Sequence, residues 1–202
     1  MIDWDGAYRN DDAPAWNIGE PQPEFAALID QDGVVRGEVL DAGCGYAELA
    51  LALAARGHTV HGIDLTPTAV AAATAAAAER GLRTATFEQA DISAFTGHDG
   101  RFGTIFDSGL LHALPADLRD GYLQSARRAA APGATFYILA FGAGAFGDHD
   151  GDRARRRVRG HRLLAQAGGD RRWLRGLHPR HRLHPGSGLH LPDRRDLQRG
   201  GC

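Results

Sequence analysis

The twelve residues Val39-Leu40-Asp41-Ala42-Gly43-Cys44-Gly45-Tyr46-Ala47-Glu48-Leu49-Ala50 restrict this chain more than any other stretch. A short apolar run ends in an acid, turns through two glycines and enters a helical pattern. A second apolar run, His58 to Ile63, follows and ends in Asp64. Strand, tight turn, helix and parallel strand together make a βαβ unit, whose crossover is right-handed. Glycine in such a turn lets the backbone pass close to a ligand, because no side chain stands in the way. An acid after the next strand is placed to accept hydrogen bonds from two ribose hydroxyls.

The alternation continues. A helix is expected over Pro21–Gln31, with Phe25, Leu28 and Ile29 on one face. Strands are expected at Val39–Asp41, Thr59–Asp64, Thr84–Phe87, Phe102–Asp107 and Thr135–Phe141. Between them lie helices over Tyr46–Arg56, from Thr66-Pro67 through Arg80, and over Asp117–Ala131. Pro67 suits a first helical turn, Gly57 and Gly81 suit helix ends, and Pro132-Gly133 stops the last helix. The fold class is α/β: a Rossmann-like, doubly wound, mostly parallel sheet with helices on both faces. Asp41, Asp64, Asp91 and Asp107 fall at or just after four strand ends, where ligands of such sheets bind.

Charge divides the chain. Residues 1–150 carry 9 Arg against 21 acids, and residues 151–202 carry 14 Arg against 4. No lysine occurs. The expected organisation is one ligand-binding domain over 1–146 and an irregular tail rich in Arg, His, Gly and Pro over 147–202. The tail offers little apolar surface to offset the entropy of ordering. Its onset is that of a reading-frame change in a GC-rich gene near residues 147–153. Two cysteines, Cys44 and Cys202, make no disulfide framework and fit the cytoplasm. No signal peptide or membrane span is expected.

Five elements in order resemble class I S-adenosylmethionine-dependent methyltransferases, in the thiopurine, halide and thiol methyltransferase-like branch. They are Trp16-Asn17-Ile18-Gly19-Glu20-Pro21-Gln22-Pro23-Glu24, Asp41-Ala42-Gly43-Cys44-Gly45, Asp64-Leu65, Gln89-Ala90-Asp91-Ile92, and Asp107-Ser108-Gly109-Leu110-Leu111-His112-Ala113-Leu114. The match runs over about residues 14–146 and looks closest to small actinobacterial enzymes acting on heterocyclic or phenolic molecules. It implies S-adenosylmethionine as cofactor, held by Trp16, Asp41, Gly43, Gly45, Asp64, Leu65, Asp91, Ile92 and Asp107. It implies a small aromatic or heterocyclic acceptor, methylated on O, N or S, with His112 as general base. The chain departs from the family in having Ala47 where a third glycine is common. It also lacks a recognisable final helix and two strands, which would leave Phe136–Phe141 at an open edge.

Glu48 stands where a dinucleotide fingerprint needs a small residue, which disfavours NAD. Trp16 reads as a packing anchor or as a cation–π partner of a sulfonium. His112 reads as loop packing or as a base. Ser108 and Tyr46 are weaker contact candidates, and Cys44 reads as a small turn residue. No metal is expected: residues 148–159 fail as a calcium loop, and Pro179 and Pro185 break any preformed site at His178, His181 and His184. The tail lacks a nucleic-acid-binding module, so nucleic acid is not expected as a partner. Two rivals remain: a catalytically impaired cofactor-binding fold, and an RNA methyltransferase using the Arg-rich tail.

Overall fold

The computed structural model describes residues 3–9, 14, 16–141 and 162–168. Its elements are α1 (Trp4–Arg9), α2 (Pro23–Ile29), β1 (Glu38–Ala42), α3 (Glu48–Ala55), β2 (Val60–Asp64), α4 (Pro67–Glu79), β3 (Ala85–Gln89), β4 (Phe102–Ser108), α5 (Leu110–Ala113), α6 (Ala116–Ala129), β5 (Ala130–Phe141) and β6 (Arg162–Gly168). One sheet runs β3-β2-β1-β4-β5-β6. Its first five strands are parallel, and β6 is antiparallel to β5.

Both faces of the parallel strands are covered, so the strands alternate between two apolar cores rather than between core and water. One core joins Val39, Val60, Phe106, Tyr137 and Leu139 to α2, α3 and α4 through Phe25, Leu28, Leu51, Leu53, Ala73 and Ala77. The other joins Leu40, Ile63, Ile105, Phe136 and Ile138 to α6 through Tyr122, Leu123, Ala126 and Ala129. The alanines of α4 at 69, 73 and 77 recur every four residues and are the buried ones, so one narrow stripe of that helix meets the sheet. The order reverses between β1 and β4, and sheets of this kind bind ligands at the carboxyl ends of the strands beside such a reversal.

The expected helices and strands are present, with three differences. A short α1 stands in the polar, aromatic N-terminal stretch; none of its residues is fully buried, so no apolar period marks it. The helix expected to run to Ala131 ends at Ala129, and β5 begins at once. Pro132-Gly133 therefore lies inside the strand, where the β4–β5 register shifts. Finally, the sequence predicts no strand beyond 146, yet Arg162–Gly168 pairs with Thr135–Phe141. The open edge of β5 presents unpaired N–H and C=O groups, and an extended segment satisfies them without any side-chain pattern. The rest of residues 147–202 lies outside the described residues, including His178, His181 and His184. No helix among the described residues is long and apolar enough to cross a membrane.

Candidate functional site

The turn after β1 is built by its own backbone bonds. Gly43 N and Cys44 N donate to Ile63 O at 2.8 and 3.0 Å, so the turn is pinned to the end of β2. Gly43 and Gly45 have φ of +69° and +54°, a region L side chains rarely adopt. A Cβ on Gly43 would lie 3.0 Å from Leu110, and one on Gly45 2.8 Å from the Tyr8 hydroxyl. Ala47 also sits at positive φ, +64°. The missing third glycine therefore leaves the turn shape intact, at a local cost of roughly 1–2 kcal/mol.

Three carboxylates converge behind this turn. Asp64 accepts from Gly45 N at 2.8 Å, and its other oxygen accepts from Thr66 N and the Thr66 hydroxyl, each at 2.9 Å. Asp41, 2% exposed, accepts from Ala50 N of α3 at 3.2 Å. Asp107 is fully buried, and its oxygens accept from Leu110 N (2.7 Å), Leu111 N (3.0 Å) and the Tyr122 hydroxyl (2.8 Å). Burial, aided by the charges of Asp64 and Asp107 and opposed by Ala50 N–H, pushes the Asp41 carboxyl up to about 7. Burial pushes Asp107 up to about 6 against its hydrogen bonds. The ion pairs among the described residues include none of the three. The three carboxyls thus sit close together without a paired cation, an arrangement that suits a cationic ligand.

Around it, Leu65 is 55% exposed beside Asp64, an apolar side chain facing outward at a strand end. Ala90 N donates to Asp64 O at 3.0 Å, so the segment after β3 is tied to the end of β2. Asp91 is exposed and accepts from Ser93 N and Oγ, while Ile92 is buried. Trp16 is 50% exposed and donates from Nε1 to the Tyr8 hydroxyl at 3.4 Å. It meets Trp4 and Tyr8 edge to face at 6.0 and 6.2 Å, and Tyr8 meets Tyr46 at 5.0 Å. Burial pushes the Tyr8 phenol up to about 12, so it stays protonated. Trp16 and Tyr46 therefore share an aromatic cluster centred on Tyr8, a residue that sequence reasoning did not single out.

His112 lies on α5, whose first two amides Asp107 holds. Its side chain stands 3.2 Å from where a Gly109 Cβ would be. Partial burial, then the charge of Arg119, lowers its imidazole below the usual 6.5. It is neutral and able to accept a proton near neutral pH. Ser108 is exposed at the end of β4. Burial raises the Cys44 thiol well above its ordinary value, which keeps it protonated and inert. Asp107–Tyr122 is a further pair missed from sequence, since helix and strand residues fifteen apart carry no shared pattern.

Residues 39–133 match a methyltransferase domain family. A 2-heptyl-1-hydroxyquinolin-4(1H)-one methyltransferase from Mycobacteroides abscessus is 60% identical over 133 residues, which cover 66% of this chain and 58% of that protein. A structure from work on conversion of a disulfide bond into a thioacetal group during echinomycin biosynthesis is 43% identical. Its TM-score is 0.66, over 70% of this chain and 60% of that one. A glycopeptide N-methyltransferase solved with S-adenosyl-L-methionine is 26% identical with a TM-score of 0.55, over 71% of this chain and 64% of that one. The chain thus spans less than two thirds of each of these relatives' length.

Proposed function

We propose that this chain, whose residues 39–133 match a methyltransferase domain family, moves a methyl group from S-adenosylmethionine to a small aromatic or heterocyclic acceptor. The observation that carries the reading is the glycine turn closed onto Asp64 at 2.8 Å, backed by Asp41 with no paired cation among the described residues. The residues present fit the cofactor. Its sulfonium and amino group are cationic, its ribose is a diol and its adenine is flat and apolar. The site offers carboxylates, an exposed Leu65, buried Ile92 and the half-exposed Trp16.

In this reading Gly43 and Gly45 shape the turn, Asp64 faces the ribose, Asp91 and Ile92 flank the adenine, and Asp41 supplies negative potential at the methionyl end. The bound cofactor supplies a methyl carbon already activated by sulfonium charge. The protein supplies position, so that acceptor and methyl meet in line. Asp107 acts through α5: it fixes the amides of Leu110 and Leu111, and so aims His112. The His112 imidazole then takes the proton of an O–H, N–H or S–H acceptor. Work in the cytoplasm belongs to the same proposal, supported by a count of two cysteines, too few for a disulfide framework.

The 60% identical relative supports a hydroxyquinolinone as the first acceptor to try. Calorimetric titration of the full chain with S-adenosylmethionine should give one saturable site. Mass spectrometry should then detect a gain of one methyl group on the acceptor. Absence of cofactor binding by folded protein would end the proposal. Binding without turnover over a broad acceptor panel would replace it by the cofactor-binding rival.

A further inference from the structure

Away from the strand ends, three ligating side chains meet on the α6 face of the sheet. They are His61 of β2, Glu88 of β3 and His98 from the connection to β4. Glu88 Oε2 lies 3.1 Å from His61 Nε2 and 2.9 Å from His98 Nε2, and the three atoms fall within 4.8 Å of one another. The His61 and His98 side chains are 10% and 12% exposed, and Glu88 is 43% exposed. Phe102 holds both rings, stacked on His61 at 6.1 Å and tilted to His98 at 5.7 Å.

We infer that His61, Glu88 and His98 form a binding site for a zinc-like divalent cation, with the fourth position open to water on the Glu88 side. Around a tetrahedral ion with ligands near 2.0–2.1 Å, ligand atoms stand about 3.3 Å apart. Two edges of the present triangle, both ending on Glu88, are already within a few tenths of an ångström of that; the third, between the two histidine nitrogens, is at most 4.8 Å and closes by a small turn of the His98 ring. The hydroxyl of Thr86 supplies a second observation. It donates to Val60 O at 3.4 Å and lies 2.9 Å from His61 Nδ1. With its own proton committed, Thr86 accepts Nδ1–H, and the lone pair of His61 Nε2 then points at a carboxylate oxygen. A cation between them satisfies both. Such an outer hydroxyl is also what fixes the tautomer of a metal-bound histidine.

His98 has to change tautomer on binding. Arg101 Nη1 donates to its Nδ1 at 2.9 Å in the ion-free cluster. Arg101 keeps its other partner, Glu38, at 2.6 Å when that bond is released. The ion would brace β2, β3 and the 90–101 connection, the stretch that carries Asp91 and Ile92.

The test is titration of the full chain with cobalt(II), followed by absorption between 500 and 650 nm, and with zinc by calorimetry. One tetrahedral site is expected, lost in His98→Ala and in the near-isosteric Glu88→Gln. Thr86→Val should weaken it roughly 10–100-fold. A variant with His178, His181 and His184 all changed to Ala should bind as the parent does. No saturable binding by folded protein overturns the assignment. So does binding that survives His98→Ala and Glu88→Gln but vanishes with the three tail histidines. Cofactor titration of the same samples reports separately on the proposed activity.

Discussion

Asp41→Asn offers a direct test of the charge balance behind the glycine turn. The Asp41 carboxyl titrates at about 7 in the fold against 3.8 in its ordinary state. An acid with a raised folded value binds its proton more tightly when folded. Its ionisation therefore costs stability, and the cost grows as pH rises from 3.8 to about 7. Each pH unit in that window is worth about 1.4 kcal/mol. Between pH 5 and pH 7 the parent should lose about 3 kcal/mol through this group. Asn keeps an oxygen for Ala50 N–H, at 3.2 Å in the parent, but has nothing to titrate. Its own packing cost is the same at every pH and cancels. Urea melts of both proteins at pH 5 and pH 8, without cofactor, give the comparison. The advantage of the variant over the parent should grow by about 3 kcal/mol between them. The same substitution should weaken S-adenosylmethionine binding. An advantage that does not change with pH would refute the argument, because a carboxylate ionised throughout produces no such difference.

His112→Ala should lower turnover about 10²–10⁴-fold while leaving cofactor affinity in place, measured as kcat beside a calorimetric Kd. In the parent, the acid limb of kcat/KM should fall below pH 6.5, because burial and then Arg119 lower the imidazole. Gly43→Ala should cost about 1–2 kcal/mol for the backbone at φ +69°, and more for the approach to Leu110, read from urea melts. Tyr122→Phe removes a buried hydrogen bond to a carboxylate and should cost about 1.5–3 kcal/mol at pH 8. That loss should shrink below pH 5, where Asp107 is protonated. Resequencing of the DNA for residues 147–153 tests the frame-change reading; a shifted frame that restores no strand and helix alternation would end it.

The βαβ core was legible because its signals are local. Apolar runs, Gly57, Gly81 and Pro67 each mark an element by their own neighbours. The geometry of the candidate site was legible for the same reason at Asp41, Gly43, Gly45 and Asp64, which flank one turn. What escaped was non-local. Tyr8 reaches Gly45, Tyr122 reaches Asp107, and His61, Glu88 and His98 meet only once two strands pair and a connection folds back. Spacing along the chain does not encode such meetings. The short α1 escaped because it has no fully buried residue. Strand β6 escaped because it is held to β5 through backbone pairing, which any sequence can make. Asp107, expected at the cofactor from its strand-end position, also accepts from Leu110 N, Leu111 N and the Tyr122 hydroxyl, partners that its position did not announce.

The reversal of strand order between β1 and β4 has an evolutionary corollary. The turn, Asp41 and Asp64 all come from the run β1–α3–β2–α4. Asp107 and His112 come from β4 and α5, reached only after the chain has crossed back through residues 90–101. Under the proposed function, selection for a new acceptor can therefore act on the second run, where substitutions other than at Leu110, which packs against Gly43, leave the turn of the first run untouched. A lineage built this way would diversify its substrates while its nucleoside pocket stays nearly constant.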